Sequence, residues 1–416
     1  MHSPSLCALI VTSLSVQLTE IFAINNVSHY NVFETAWSWS YVNYTWPSTE
    51  AYLTALATLR YVPENVMLAG PRIHNGKVYV AMPKFRSGVP ATLGYFNILS
   101  SEAVNTLITP FPSWEKNTPE DCGSLQSVIG MEIDRYGIMW VLDGHRASNA
   151  LSGLQCPPKL VLLDLNAGGA VRHVFSFPNE ICLTDGGFLN DIVIDDVVEI
   201  FAYITDNSPI DPGLIVYSLG KNKAWKFRDA TMFPDLSAPN YLLDGSLVDV
   251  LAPIDGIALS PFTRKSPRTL YYTSLTGHGL FSISTAILKN ENSLKDQKWR
   301  GLVKPVGQKL CSTDGMVMDS NGNLYYGLLC LSGVGKWNVF EPFEISEVIY
   351  SNPSTMVWPD GFTIDFDGNL YLLSNYAFRF AGNETLYFSP DVIKFRIHKL
   401  HDIGGVNYMY NTFERY

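Results

Sequence analysis

Two segments near the C-terminal end repeat one sixteen-residue pattern, TDGMVMDSNGNLYYGL at 313–328 and PDGFTIDFDGNLYLLS at 359–374. Each begins with Asp-Gly, continues with an alternating segment, and reaches Asp-x-x-Gly before an aromatic segment. Alternation with a period of two predicts β-strands, and Gly322 and Gly368 occupy turn positions that require a positive φ. Each copy therefore predicts a β-hairpin within a larger repeated unit.

Four weaker copies precede these two. They are GPRIHNGKVYVAM from 70, GMEIDRYGIMWVLD from 130, LNDIVID and FAYITD from 189, and IDGIALSP and TLYYTS from 254. The six units are roughly fifty to seventy residues apart, which implies loop insertions. Small antiparallel sheets repeated radially leave only short, protected edges. The repeats therefore predict an all-β fold, a six-bladed β-propeller with a central channel.

The last blade of such a ring needs a strand from another part of the chain. Either the Trp-rich start, with Trp37, Trp39 and Trp46, or the segment 392–398 would supply this strand. The segment 48–59 is the best helical candidate in the sequence. We assign residues 24–416 to a single propeller domain.

The first 23 residues are typical of a secretory signal peptide. An apolar core at 6–18 is too short to span a bilayer, and Ala23 offers a small residue for cleavage. Three acceptor sequons, at Asn26, Asn43 and Asn383, predict N-glycosylation of a secreted, extracellular protein. No other segment is long and apolar enough to cross a membrane, so no membrane partner is expected. The formal net charge of -10 also disfavours nucleic acid as a partner.

The cysteines fit an oxidising compartment. Cys7 is removed with the signal peptide, and the other five match no zinc-binding spacing. We predict disulfide bonds between Cys122 and Cys156 and between Cys311 and Cys330. Cys182 is left over, either buried or free.

One position in the repeats carries candidate functional side chains. Superposing the units places Asn190, Asp255, Asp314 and Asp360 just before each inner strand, with Ile129 and Ala69 in the remaining two units. Inner strands line a propeller channel, so these side chains would converge, and crowded carboxylates must be protonated, paired with a cation or bound to a metal. Alternatively, each Asp braces its own turn.

Other polar and aromatic residues have competing interpretations. The second Asp of each copy, at Asp134, Asp319 and Asp365, is assigned to turn chemistry alone. Trp358 and Trp337 would stack on an aromatic ligand, and Asn375 would donate hydrogen bonds to it. Core packing is the alternative for both tryptophans. No nucleophile elbow, zinc-protease motif or phosphate loop occurs, which disfavours the commonest hydrolase and nucleotide-binding classes.

The sequence resembles the Yellow / major royal jelly protein family over about 33–399. The matching segments are SGVPATLGYF from 87, DCGSLQSV from 121, WVLDGH from 140, GLIVYSLGKNKAWKFR from 213, RTLYYTSLTGHGLFSISTAIL from 268 and WPDGFTIDFDGNLYLLSN from 358. The resemblance implies a secreted six-bladed propeller. It also implies a role for the channel, because some members promote dopachrome conversion in melanin formation and some salivary members bind biogenic amines.

Three functions remain open from the sequence. In the first, the channel binds a small aromatic amine or catechol-derived ligand, and Asp314 or Asp360 acts as a base in dopachrome conversion. Asn190 and Asp255 would then contact the ligand, and Asn190 or Asn375 would hold the developing oxyanion. The second is a non-catalytic amine binder or pigment-patterning factor. The third is a metal-dependent, lactonase-like hydrolase. No cofactor and no resident metal is predicted for the first two, and the sequence does not predict the oligomeric state.

Overall fold

Six antiparallel sheets of four strands form the architecture of the computed structural model, which describes residues 32–118, 121–144, 156–238, 240–381 and 391–410. In five sheets the strands follow one another along the chain, so each sheet is one propeller blade. Neighbouring blades contact one another through their first strands, in a cycle that returns to the first blade. The all-β, six-bladed propeller predicted from the repeats is confirmed.

The strands are numbered in chain order, and β1 is Glu34–Trp39. Blade 1 contains β2 Ala69–His74, β3 Lys77–Ala81, β4 Leu93–Asn97 and β5 Thr109–Pro110. Blade 2 contains β6 Val128–Ile133, β7 Ile138–Asp143, β8 Lys159–Asp164 and β9 Ala170–Ser176. Blade 3 contains β10 Leu189–Asp195, β11 Phe201–Asp206, β12 Gly213–Ser218 and β13 Lys223–Phe227.

A separate hairpin, β14 Tyr241–Leu243 and β15 Ser246–Val248, precedes the last three blades. Blade 4 contains β16 Ile254–Leu259, β17 Thr269–Ser274, β18 Gly279–Ser284 and β19 Lys304–Gln308. Blade 5 contains β20 Met316–Met318, β21 Asn323–Leu328, β22 Gly333–Asn338 and β23 Glu347–Ser351. Blade 6 contains β24 Trp358–Ile364, β25 Leu370–Asn375 and β26 Phe395–Leu400. The α-helices in the described part are α1 Thr49–Ala57, α2 Thr285–Leu288 and α3 Ala377–Ala381.

The two ends of the chain close the ring together. β1 pairs antiparallel with β26 and forms the outer strand of blade 6. Trp39 anchors this closure, because its buried indole donates a hydrogen bond of 2.8 Å to the carbonyl of Thr106. The sequence offered the N-terminal segment and the C-terminal segment as alternative strands of the last blade. Both are strands of blade 6, and they pair with each other. The helix predicted over 48–59 is α1, and Ser48 caps it by accepting a hydrogen bond from the Ala51 amide.

The second Asp of each repeat has the structural role that the sequence predicts. Asp319 Oδ1 accepts hydrogen bonds from the Asn321 and Asn323 amides, and its Oδ2 accepts one from the Asn323 side chain. Asp134 and Asp365 likewise accept bonds from the amides two and four residues later. The turn glycines that follow have φ values of 76° at Gly137, 82° at Gly322 and 77° at Gly368. These carboxylates hold the hairpin turns and do not line the main cavity.

The predicted disulfides, Cys122–Cys156 and Cys311–Cys330, are both present. Cys182 is free and buried, and desolvation raises the pKa of its thiol, which makes a reactive thiolate unfavourable. The signal peptide and the sequons at Asn26 and Asn383 lie outside the described residues. Asn43 is described, and its Oδ1 accepts a hydrogen bond from the Trp46 indole at 2.9 Å. Among the described helices, none has the length and apolarity needed to cross a membrane.

Candidate functional site

The innermost strands share an irregularity near their first residues. In blades 2, 3, 4 and 6, two residues of the innermost strand lie unpaired between two residues that pair with the second strand. This arrangement is a β-bulge. These pairs are Ile129-Gly130, Asn190-Asp191, Asp255-Gly256 and Asp360-Gly361, and in blade 5 Asp314-Gly315 directly precedes β20. The first residue of each pair is the position equated by the sequence superposition. Blade 1 differs, because Ala69 is paired with Ala81 and only Gly70 lies in the bulge.

The second residue of most pairs is glycine because neighbouring blades touch at this point. A Cβ on Gly315 would lie 2.1 Å from the carbonyl oxygen of Asp360 in the next blade. A Cβ on Gly256 would lie 2.4 Å from the carbonyl oxygen of Asp314. The close approach brings the side chains before these glycines together around the axis.

The acidic ring, which we define as Asn190, Asp255, Asp314 and Asp360, lines one cavity of about 530 Å³. Apolar side chains form much of the remaining wall, among them Met67, Phe85, Met131, Met316, Phe378 and Phe380. Cavities of about 300–1,000 Å³ with apolar walls and a few converging polar groups are typical small-molecule sites. Residues from four distant parts of the sequence therefore form one candidate binding site.

Asp255 and Asp314 are neighbouring buried acids within this ring, and each perturbs the pKa of the other. Asp255 accepts hydrogen bonds of 2.7 Å from the side-chain amides of Asn190 and Asn207. Burial and the neighbouring Asp314 raise the pKa of Asp255. Burial also raises the pKa of Asp314, but the indole of Trp358 opposes this by donating a bond of 2.6 Å.

Asp360 is held by Asn375. The Asn375 amide donates to Asp360 Oδ2 and to the carbonyl of Leu68 at 3.1 Å, and its oxygen accepts from the Ala377 amide at 2.9 Å. Burial, followed by the nearby Asp314, raises the pKa of Asp360. Asn375 is 1% exposed and does not line the cavity. The contact of Asn375 with the ligand or its oxyanion stays a prediction, although its hydrogen-bonding groups are already used to position Asp360.

The two predicted tryptophans lie in different places. Trp358 lines the cavity, and one ring face stacks on Phe378 with the ring centroids 5.6 Å apart. Trp337 belongs to β22, the third strand of blade 5, and its ring packs against Phe343 and Tyr271. The contact of Trp337 with the ligand stays a prediction, although the third strand of a blade lies away from the channel and Trp337 packs between blades.

Three charged residues of the site were not predicted. Asp191 replaces the glycine found after the ring position in the other bulges, and it lines the cavity. Arg72 and Glu132 hold equivalent positions one layer further along the inner strands of blades 1 and 2. The equivalent residues in the other blades are Val193, Ala258, Val317 and Thr363. These three residues could have been identified from the sequence. Each is a charged residue at a repeat position where the other blades have glycine, an apolar residue or threonine.

These three side chains interact with one another. Arg72 Nε lies 3.4 Å from Glu132 Oε2, and Arg72 Nη2 lies 3.9 Å from Asp191 Oδ1. Burial raises the pKa of Asp191 to about 7, although the charge of Arg72 opposes the shift. Burial likewise raises the pKa of Glu132, again against the opposing charge of Arg72.

The C-terminal segment covers the channel at the opposite end. The Tyr408 hydroxyl hydrogen-bonds to both the amide and the carbonyl of Ile194, at 2.8 and 3.2 Å. Asn407 forms a β-bridge with Asp319. A small pocket at this end is lined by Tyr410, Arg72 and Glu132, so Arg72 lies between the two spaces. The larger cavity therefore ends at the layer that contains Arg72.

The described residues contain no group of three or more His, Cys, Asp or Glu side chains placed to hold a metal ion. The acidic ring contains three carboxylates, but they are engaged by amides, an indole and one another. The geometry therefore offers no support for the hypothesis of a metal-dependent hydrolase.

A family model described as "Major royal jelly protein" matches residues 126–402. The chain belongs to the major royal jelly protein family. This confirms the family resemblance noted in the sequence. Protein yellow of Drosophila melanogaster is 28% identical over 353 residues, which cover 82% of this chain and 64% of that protein. Protein yellow of Drosophila pseudoobscura pseudoobscura is 26% identical over 379 residues, or 88% and 66% of the two chains.

Solved structures match this member of the family at lower similarity. A luciferin-regenerating enzyme aligns over 82% of this chain and 93% of its own, with 12% identity and a TM-score of 0.48. A calcium-binding protein, regucalcin, of Agrobacterium tumefaciens aligns over 83% and 95%, with 12% identity and a TM-score of 0.47. Similarity at this level carries no argument about the function of the chain.

Proposed function

We propose that this protein is a secreted member of the family that binds a small aromatic amine or catechol derivative in its cavity and accelerates dopachrome conversion. One observation carries the proposal: Asp255, Asp314 and Asp360 converge with Asn190 in an apolar-walled cavity of about 530 Å³. Two disulfides support an oxidising, extracellular setting. We also propose that a secreted protein of this sequence is N-glycosylated at Asn26, Asn43 and Asn383.

The chemistry of the cavity suits this class of ligand. A flat ring packs against aromatic walls such as Phe85 and Phe378, and an ammonium or catechol hydroxyl donates hydrogen bonds to the acidic ring. Carboxylates in an enclosed site form stronger hydrogen bonds with charged donors than they do in water. The cavity therefore offers both the apolar contact and the polar recognition that an aromatic amine needs.

Two carboxyl groups supply the proposed chemistry of tautomerisation. Asp314, the carboxylate stabilised by Trp358, removes the ring proton of dopachrome as general base. Asp360, whose pKa is raised by burial, donates a proton to the quinone oxygen that gains negative charge. The C–H bond is lost, an O–H bond forms, and the electron pair moves through the ring. One proton enters the protein for each proton that leaves it.

An absorbance assay separates this function from simple binding. Dopachrome rearranges spontaneously, so the rate of loss of its absorption band is measured with and without the protein. An increase in rate proportional to protein concentration supports conversion. Binding of the amine without any increase would instead identify the alternative function, a non-catalytic amine binder or pigment-patterning factor. No observation favours a lactonase.

The affinity for dopamine should rise between pH 6 and pH 8. Burial raises the pKa of Asp191 to about 7 and also raises the pKa values of Asp255 and Asp360, so the empty site holds protons at pH values where free carboxyl groups are ionised. An ammonium pairs with the ionised form, and it keeps its own proton because alkylammonium pKa values lie near about 10. Binding must therefore release protons, and one released proton gives at most about a 10-fold gain per pH unit.

Titration calorimetry at pH 7 in two buffers with different ionisation enthalpies measures this release directly. The expected result is net release of about one proton for each dopamine bound. Uptake of protons, or an affinity independent of pH, would contradict the proposed pairing of the ammonium with the acidic ring.

A further inference from the structure

The guanidinium of Arg72 is buried with part of its hydrogen-bonding capacity unused. Its Nη1 group donates to the carbonyls of Pro71 at 2.8 Å and Phe362 at 3.0 Å. Nε is buried without a hydrogen-bond partner, and the acidic oxygen beside Nη2, Asp191 Oδ1, is 3.9 Å away. The side chain is only 10% exposed. Buried donors without acceptors cost about 1–3 kcal/mol each, so this arrangement requires an explanation.

The unused donors share one edge of the guanidinium. Nε–H and one Nη2–H point in parallel, and this edge binds a carboxylate through two hydrogen bonds. Glu132 lies beside Nε at 3.4 Å but does not complete a hydrogen bond. Asp191 lies 3.9 Å from Nη2, beyond hydrogen-bond distance. The flanking acids therefore balance the charge of Arg72 but leave its donors available.

The position of Arg72 gives these donors a role in binding. Arg72 lines the main cavity at the layer beyond the acidic ring. It is the one Lys or Arg among the described residues that line this cavity. The cavity thus offers acceptors at the acidic ring and a cationic donor at its inner end.

We propose that Arg72 determines ligand specificity by binding an anionic oxygen, so that the cavity prefers aromatic ligands with a carboxylate over their decarboxylated amines. This inference rests on the proposed function and narrows its ligand class to amphoteric derivatives of aromatic amino acids. The ligand ammonium or ring N–H faces the acidic ring, and its carboxylate binds the free edge of Arg72. Dopachrome, which retains a carboxylate, belongs to this class, and the corresponding product of dopamine does not.

Matched ligand pairs test the inference on the unmodified protein. Dihydroxyphenylalanine and dopamine differ only in the carboxylate, as do tryptophan and tryptamine. Titration calorimetry should show about 10-fold to 100-fold tighter binding of the carboxylated member of each pair, the range expected for a charge-assisted hydrogen bond. Equal binding, or tighter binding of the amine, overturns the role of Arg72 while leaving the proposed function intact. Failure of all four ligands to bind overturns both.

Two variants locate the preference at Arg72. Arg72→Lys keeps the positive charge but loses the bidentate edge, and it should lower the preference to about 3-fold or less. Arg72→Met should abolish the preference, and thermal unfolding confirms that each variant is folded. Arg60→Gln changes an exposed arginine outside the cavity and should leave the preference unchanged. Retention of the full preference in a folded Arg72→Lys or Arg72→Met variant contradicts the inference.

Discussion

Replacing Asp314 and Asp360 together by asparagine should lower the protein-dependent rate of dopachrome conversion by about 100-fold or more. Asparagine keeps the size of each side chain but can neither accept the ring proton nor donate one to the quinone oxygen. The hydrogen bonds from Trp358 and Asn375 reach carboxylate oxygens that an amide oxygen can replace. The loss should therefore come from chemistry rather than from collapse of the cavity.

The rate is measured from dopachrome absorbance after subtraction of the spontaneous reaction. Asp367→Asn is the matched control. Asp367 is exposed at a hairpin turn, and its replacement removes one negative charge at a single position. The control should retain the full rate. An Asp314→Asn/Asp360→Asn variant that keeps the wild-type rate would exclude these carboxyl groups as the acid and base.

Replacing Gly315 by alanine should destabilise the propeller by about 3 kcal/mol. The new Cβ would lie 2.1 Å from the Asp360 carbonyl oxygen, which belongs to the backbone of the next blade. A backbone atom cannot rotate away as a side chain can, so blades 5 and 6 must separate. Because Asp314 precedes Gly315, the same displacement should also weaken ligand binding.

Urea unfolding followed by circular dichroism measures the change in the free energy of unfolding. Gly301→Ala is the control, since Gly301 is exposed and a Cβ there meets no atom within 4 Å. The control should change the free energy of unfolding by less than about 1 kcal/mol. Equal stability of the two variants would show that the close contact between inner strands does not hold the blades together.

The sequence predicts the fold because the repeated pattern specifies each blade locally. Period-two alternation and the Asp-x-x-Gly turns define the hairpins, and Asp319 and Asp365 fix those turns with bonds to residues two and four positions later. Such interactions lie within a few residues and are visible in a single copy. Closure was predicted only as two alternatives, because pairing of β1 with β26 depends on residues more than 350 positions apart along the chain.

The acidic ring was predictable for the same reason, since superposing the copies equates Asp255, Asp314 and Asp360. The positions of other residues around the acidic ring and between the blades were not predictable in this way. Asn375 is near the end of β25 in sequence, but its amide is used by Asp360 and the Leu68 carbonyl, a contact between blades that spans 307 positions. The packing of Trp337 was not predictable either, because an aromatic residue on an alternating strand does not show which neighbouring blade it packs against.

The repeats contain three exceptions, Arg72, Glu132 and Asp191. Each departs from the residue type that its equivalents share, and the departure is visible only when the register of every blade is known. Each bulge shifts that register by one residue, but it leaves one inner-strand residue unpaired in blade 1 and two in blades 2, 3, 4 and 6. Functional residues of a repeat protein are therefore best sought where one copy breaks the common pattern.

A crystal structure of the protein with bound dihydroxyphenylalanine tests the central claim most directly. The ligand should lie in the cavity of about 530 Å³, with its ammonium or hydroxyl groups within hydrogen-bond distance of Asp314 or Asp360. Density for the ligand on the outer rim of the blades, with the cavity occupied only by water, would contradict the account.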